Sequence, residues 1–160
     1  MIAIRAATPS DVPLILRFVR ELAEYEKLTH QVTATEALFH AHLFGLRKVA
    51  EAMIVEMDGK PVGFALYFYN FSTFLGKSGI YLEDLYVQPH ARGHGAGKAL
   101  LTALAQRAVA KGCGRLEWSV LDWNAPAIRF YKKIGAVPME EWTIMRVTGD
   151  GLARLAEGKE

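Results

Sequence analysis

Three short stretches of this sequence have the residue types and spacing to do chemistry. Residues 88–101 read QPHARGHGAGKALL: Arg92, three alternating glycines (Gly93, Gly95, Gly97), Lys98, then an apolar run. Residues 81–87 read YLEDLYV, two adjacent carboxylates, Glu83 and Asp84, inside an otherwise apolar segment. Residues 123–136 read WNAPAIRFYKKIGA, with Asn124, Ala127, Tyr131 and Gly135 three or four apart. The first suits an anion, the second a cation or a proton, and the third presents an amide and a phenol along one helical face.

The glycine stretch invites two phosphate-loop readings, and neither fits. A P-loop needs four residues between its glycines and a hydroxyl after the lysine. Here three residues separate Gly93 from Gly97, and Ala99 follows Lys98. A dinucleotide fingerprint runs G-x-G-x-x-G after a first strand, whereas this run is G-x-G-x-G past the middle of the chain. An anion is still favoured physically. A helix start exposes unpaired N–H groups and partial positive charge, so flanking cations there are unfavourable unless an anion reverses the sign. Glycines admit that anion to the backbone. On local features a tight turn with solvated cations is the alternative.

The carboxylate pair is costly inside an apolar strand unless it faces a polar cleft; a surface or ion-paired Glu83 is the alternative. Asn124 is a plausible N-cap, and Tyr131 beside Phe130 taken alone also reads as a core aromatic. His40 and His42, two apart, do not share a helical face, so no metal site is expected. Cys113, between two glycines with no base beside it, reads as filler rather than a nucleophile.

These stretches must be held by surrounding elements. Ile2 to Arg5 reads as a strand. Thr8-Pro9-Ser10-Asp11 starts a helix carrying Val12, Ile15, Val19 and Leu22 at helical spacing. A second helix is expected over about 35–44, a hairpin from strands 52–57 and 62–69 around a turn at 58–60, and a strand over 79–87. A helix over 95–110 follows, with Leu100, Leu101, Leu104 and Ala108 on its apolar face. Then come a strand over 115–120, a helix over 124–134, a last strand over 142–148 and a short C-terminal helix. The apolar stretch 142–148 is a candidate edge or interface. The class is α/β (α+β): one mixed, mostly antiparallel sheet flanked by helices.

The 160 residues suffice for one domain, residues 1–160, with its own core. A net charge of +2 without a basic block gives no nucleic-acid footprint. One cysteine excludes an internal disulfide and fits a reducing cytoplasm. No signal-peptide pattern or membrane-length apolar run is read.

The R-x-x-G-x-G run together with the Asn/Tyr helix resembles the GNAT superfamily of N-acetyltransferases, which use acetyl-CoA. RELAEYEKL (20–28), YLEDLYV (81–87), KGC (111–113) and VLDWN (120–124) are similar to its diamine branch, the spermidine/spermine and thialysine acetyltransferases. The resemblance implies the GNAT fold and a coenzyme A site. Backbone of Leu85, Tyr86 and Val87 would pair with the pantetheine arm. Arg92, Gly93, His94, Gly95, Ala96, Gly97 and Lys98 would line the diphosphate, His94 through its backbone. Asn124, Ala127 and Tyr131 would lie near the thiol end. Glu83 would meet the substrate amine and Tyr131 would supply a proton to the departing sulfur. Backbone N–H groups near Leu85 could hold the oxyanion.

The expected enzyme acetylates a primary amine of a small cationic substrate by direct attack. Tyr25, Glu26, Glu83 and Asp84 are expected to bind that substrate, with Glu140 and Glu141 as further acids. Polyamine-acetylating relatives carry an extra acid in the loop before YLED; here Ser72 and Thr73 stand there. A lysine analogue such as thialysine, or a small diamine, is therefore expected over spermine. A protein acetyltransferase and a non-catalytic coenzyme A sensor are the alternatives. The resemblance also implies a homodimer.

Overall fold

The computed structural model describes residues 1–159 and divides into two compact units, Met1–Leu121 and Asp122–Glu160. The first holds β1 (Ile2–Ala6), α1 (Val12–Tyr25), α2 (Glu36–Phe44), β2 (Glu51–Met57), β3 (Lys60–Ser72), β4 (Lys77–Val87), α3 (Ala96–Ala110) and β5 (Leu116–Trp118). The second holds α4 (Ala125–Lys133) and α5 (Gly149–Ala156). The strands form one sheet in sequence order. β1 to β4 are antiparallel neighbours, and β5 joins β4 in parallel. The expected mixed, mostly antiparallel sheet is what forms.

Alternation along the strands sends successive side chains to opposite faces. On one face Ile54, Phe64, Leu66 and Tyr86 pack with Ile15 and Phe18 of α1 and Leu43 of α2. Phe18 stacks on Phe64 with ring centroids 5.9 Å apart; truncating such a ring to Ala costs about 3–5 kcal/mol. α3 lies against β1, β2 and β4, and buries the Leu100, Leu101, Leu104 and Ala108 stripe read from its spacing.

The start of α1 is set by Asp11. Its Oδ2 accepts from the Thr8 N–H at 2.8 Å and from Arg5 Nη1 at 2.7 Å, and Oδ1 accepts from Arg5 Nη2 at 3.0 Å. A one-turn 3-10 segment, Pro9–Asp11, leads into the helix. The other end of α1 closes with Lys27 at φ 61° and the Leu28 N–H on the Ala23 carbonyl at 2.8 Å.

Some expectations need correction. β5 is three residues long rather than six. Residues 142–148 form no strand, although their side chains have strand character; Trp142, Ile144, Met145 and Val147 are exposed. Propensity alone does not hold a strand, because its N–H and C=O groups need a partner. Among the described residues, the second unit offers two helices and no strand to pair with. β3 and β4 run longer than expected and meet at a turn that Ser72 closes by accepting from the Leu75 N–H at 3.2 Å.

Candidate active site

β4 changes character halfway along. From Ile80 to Leu82 it is paired on both edges: Leu82 lies opposite Tyr67 of β3 and Trp118 of β5. The next β3 residue, Leu66, faces Asp84, so Glu83 is an extra residue in the ladder. Such a bulge bends the strand and re-aims its side chains. Beyond it, among the described residues, only β3 pairs with β4.

The direction of the free backbone groups follows. The Gln88 N–H donates to the Val62 carbonyl, on the β3 side, at 2.8 Å. Backbone groups alternate sides along a strand, so Tyr86 also points to β3, while Leu85 and Val87 point their N–H groups to the open edge. Of these three backbone positions, two face the open edge. Tyr86 is instead buried toward α1, where its hydroxyl donates to Glu21 Oε2 at 2.9 Å. Burial and Glu21 push its phenol up to about 12.

Glu83 and Asp84 line a cleft of about 360 Å³ together with Glu26, from the end of α1, and Gln31 and Thr33, from the loop after it. Glu83 is exposed and Asp84 half-buried. Burial, then the nearby Glu83 and Glu26, push the Asp84 carboxyl up to about 7. Burial also raises Glu26. Three acids thus share a cleft, and among the described residues no ion pair joins any of them to a cation, a setting that favours a cationic ligand or a held proton. Gln31, at the end of the one-turn 3-10 segment Thr29–Gln31, and Thr33 carry no sequence signal, because a stretch this short has no periodicity to mark a lining residue.

Past β4, a 3-10 turn (Pro89–Ala91) leads to the glycine loop. Gly93 and Gly95 adopt φ 80° and 91°, a region that side-chain-bearing residues avoid. A Cβ at Gly93 would meet no atom within 4 Å, so open space lies beside this backbone. Gly95 precedes the first turn of α3, whose first helical bond runs from the Ala99 N–H to the Gly95 carbonyl at 2.9 Å. The N–H groups of Ala96, Gly97 and Lys98 therefore lead the helix without a carbonyl four residues back inside it. Ala96 is buried, and His94 and Lys98 are exposed. An anion fits against this helix start, and an extended amide-bearing chain fits the Leu85–Val87 edge as an added strand would. A second groove, between β1 and α3 and about 390 Å³, has Lys98 as its sole charged lining residue and no acid; it lacks the chemistry of the β4 cleft.

In the second unit, Asn124 caps α4: its Oδ1 accepts from the Ala127 N–H at 3.4 Å, and Pro126 occupies the first turn. Asn124 is buried, while Ala127 and Tyr131 are half-buried. Their spacing puts these three on one face of the helix. The Tyr131 ring lies 5.6 Å from that of Phe130.

Comparison with known proteins gives this site its context. The model of the acetyltransferase (GNAT) family matches residues 16–136. A thialysine N-epsilon-acetyltransferase from Bos taurus is 40% identical over 97% of this chain and 97% of its own. An L-ornithine N5-acetyltransferase from Arabidopsis thaliana is 34% identical over 93% of this chain and 85% of its own. An integron cassette protein from V. cholerae superposes with a TM-score of 0.81 at 29% identity, covering 98% of both chains.

Proposed function

This chain belongs to the acetyltransferase (GNAT) family, and we propose that its amine substrate is a short, doubly cationic molecule. The enzyme is an N-acetyltransferase that acetylates an amine of a small substrate. The observation that carries the narrower reading is the meeting of three acids, Glu26, Glu83 and Asp84, in one cleft. Two of them immediately precede the open β4 edge. The relatives act on thialysine and L-ornithine, as their names state. Both molecules carry a terminal amine on a short side chain, with a second amine near the other end. A diamino acid of this kind, or a small diamine, suits a compact acidic cleft better than spermine. Each further ammonium of a polyamine would need its own carboxylate.

Family members use acetyl-CoA, which supplies an acetyl group on a thioester. The residues present fit it. Leu85 and Val87 would pair with the pantetheine arm, and the loop from Gly93 to Lys98 would take the diphosphate. Asn124, Ala127 and Tyr131 are assigned to the thiol end by family likeness. An alkyl amine has a pKa of about 10.4 and must lose a proton before it attacks. Glu83, exposed at the bulge, orients the ammonium and receives that proton, directly or through water. Asp84, pushed up to about 7, exchanges a proton near neutral pH. The Leu85 N–H, which faces the open edge, would steady a carbonyl oxygen, and the Tyr131 hydroxyl would hold the proton that the departing thiolate needs.

The remaining parts of the reading have lesser supports. The family match over residues 16–136 supports one catalytic domain over residues 1–160. The exposed apolar residues of 142–147 support a homodimer. A single cysteine supports a cytoplasmic setting, and the near-neutral charge supports a small-molecule partner rather than nucleic acid or membrane. Thiol release from acetyl-CoA, measured across thialysine, lysine, ornithine, putrescine, spermidine and spermine at fixed ionic strength, tests the whole. Highest kcat/KM for a two-amine substrate is expected. A clear preference for spermine overturns the substrate, and no turnover with any amine overturns the activity.

A further inference from the structure

Arg92 opens the glycine run, and its charge suggests an anion as partner. The structure gives its side chain other work. Nε donates to the Val87 carbonyl at 2.8 Å, at the end of the open β4 edge. The guanidinium carbon sits 4.9 Å from the centroid of the Tyr25 ring and 5.7 Å from that of Tyr86. Tyr25 is the last residue of α1, and the next residue, Glu26, lines the acidic cleft. Tyr86 is in turn tied to α1 through Glu21, which also accepts from the Gln88 amide at 3.3 Å. One planar cation therefore bridges the strand that would hold the cofactor and the helix end that carries a cleft acid.

We infer that Arg92 is a positioning residue for the amine: by stacking on Tyr25 it fixes where Glu26 stands relative to the open edge of β4, and so which amine length the cleft accepts. The backbone makes this reach effective. Lys27 at φ 61° turns the chain directly after Glu26, so the Tyr25 ring is the nearby handle on that carboxylate. Arg92 also takes the Val87 carbonyl, leaving the Leu85 groups and the Val87 N–H for a ligand. A lysine keeps the charge but lacks the flat face and fork that make both contacts together. The inference rests on the reading of the cleft as an amine site.

The test is a double-mutant cycle on Arg92→Ala and Tyr25→Leu, with Arg92→Lys and Tyr25→Phe beside it. Amine KM and kcat are read at saturating acetyl-CoA for ornithine, lysine and putrescine. Each single variant is expected to raise amine KM about five- to tenfold with a smaller change in kcat, from loss of a guanidinium–ring contact and of pre-set geometry. The double variant should be little worse than the worse single, because both remove one contact. The order of preference among the three amines should flatten, Arg92→Lys should rescue poorly, and Tyr25→Phe should lose less than Tyr25→Leu. Multiplying effects, or an Arg92→Ala defect confined to coenzyme A affinity with amine KM unmoved, would overturn the inference while the acetyltransferase stands. A wild type inert toward every amine removes the site reading and this inference with it.

Discussion

The two ends of α1 carry acids in opposite settings. At the first, Asp11 accepts two bonds from Arg5 and one from the Thr8 N–H, and Arg5 Nε reaches Glu56 at 2.7 Å. Every charge there has an opposite partner, and Arg5 holds the Asp11 carboxyl down at about 2. At the second, Glu26, Glu83 and Asp84 crowd one cleft, and burial with like charge lifts Asp84 to about 7. The first arrangement stabilises the fold, because charge-assisted bonds at a helix start replace water on orphan groups. The second works against the fold, and on our proposal it serves a cation that arrives from outside. Residues of one chemical type thus separate into scaffold and site by their partners alone.

That contrast can be broken most directly at Glu83. Glu83→Gln keeps the shape and removes the base, so kcat/KM should fall about 10²-fold or more, a general-base magnitude, while the unfolding midpoint stays put. Asp11→Asn should do the reverse, lowering stability and sparing turnover. Equal loss of activity in both would erase the distinction between the two ends. Tyr131→Phe sharpens the comparison from outside either cluster. It removes a proton without touching a carboxylate, so kcat should drop about 10²-fold with amine KM little changed. An unchanged kcat under chemistry-limited conditions would return Tyr131 to a packing role.

A smaller effect separates the acids within the cleft. In the wild type, kcat/KM for the amine should rise with pH through an apparent pKa near the Asp84 value of about 7, as that carboxyl loses its proton and can meet an ammonium. Asp84→Asn should remove this step and lower the plateau several-fold, roughly the loss of one charge-assisted contact. A profile with the same inflection in the variant would assign it to another group.

Much of this was legible in the chain, for reasons specific to each part. The α3 stripe and the Thr8–Asp11 start were readable because helix periodicity and capping are local. The Glu83–Asp84 pair was readable because carboxylates inside an apolar strand violate burial, and such violations concentrate at sites. The bulge at Glu83 was not, since register depends on β3 and no residue in YLEDLYV signals an extra position. Nor was the stacking of Arg92 on Tyr25, 67 positions apart in sequence. The pattern of 142–148 promised a strand because propensity says nothing about whether a partner edge exists.

The last prediction sets the two ends of α1 against each other in stability. For Asp11 the folded pKa, about 2, lies below its unfolded value of 3.8. The unfolded state binds more protons between those values, so stability is present above about pH 4 and lost as pH falls toward 2. The shift corresponds to roughly 2 kcal/mol. For Asp84 the folded pKa, about 7, lies above 3.8. The folded state then holds the extra proton, so stability is greatest below about pH 4 and declines as pH rises through 7. Water reaches this half-exposed cleft, which limits the loss to about 1–3 kcal/mol. Urea unfolding of the wild type, Asp11→Asn and Asp84→Asn from pH 3 to 8 reads both slopes. Asp11→Asn should flatten the acid side and lower stability at neutral pH, where its partner Arg5 loses a charged acceptor. Asp84→Asn should leave pH 4 nearly untouched and stabilise the protein at pH 8. If a saturating diamine is added, the wild type should regain stability at pH 8 and Asp84→Asn should regain less, because the ligand supplies the cation that the cleft itself lacks. An Asp84→Asn variant less stable than wild type at pH 8 would show that this acid, too, belongs to the scaffold.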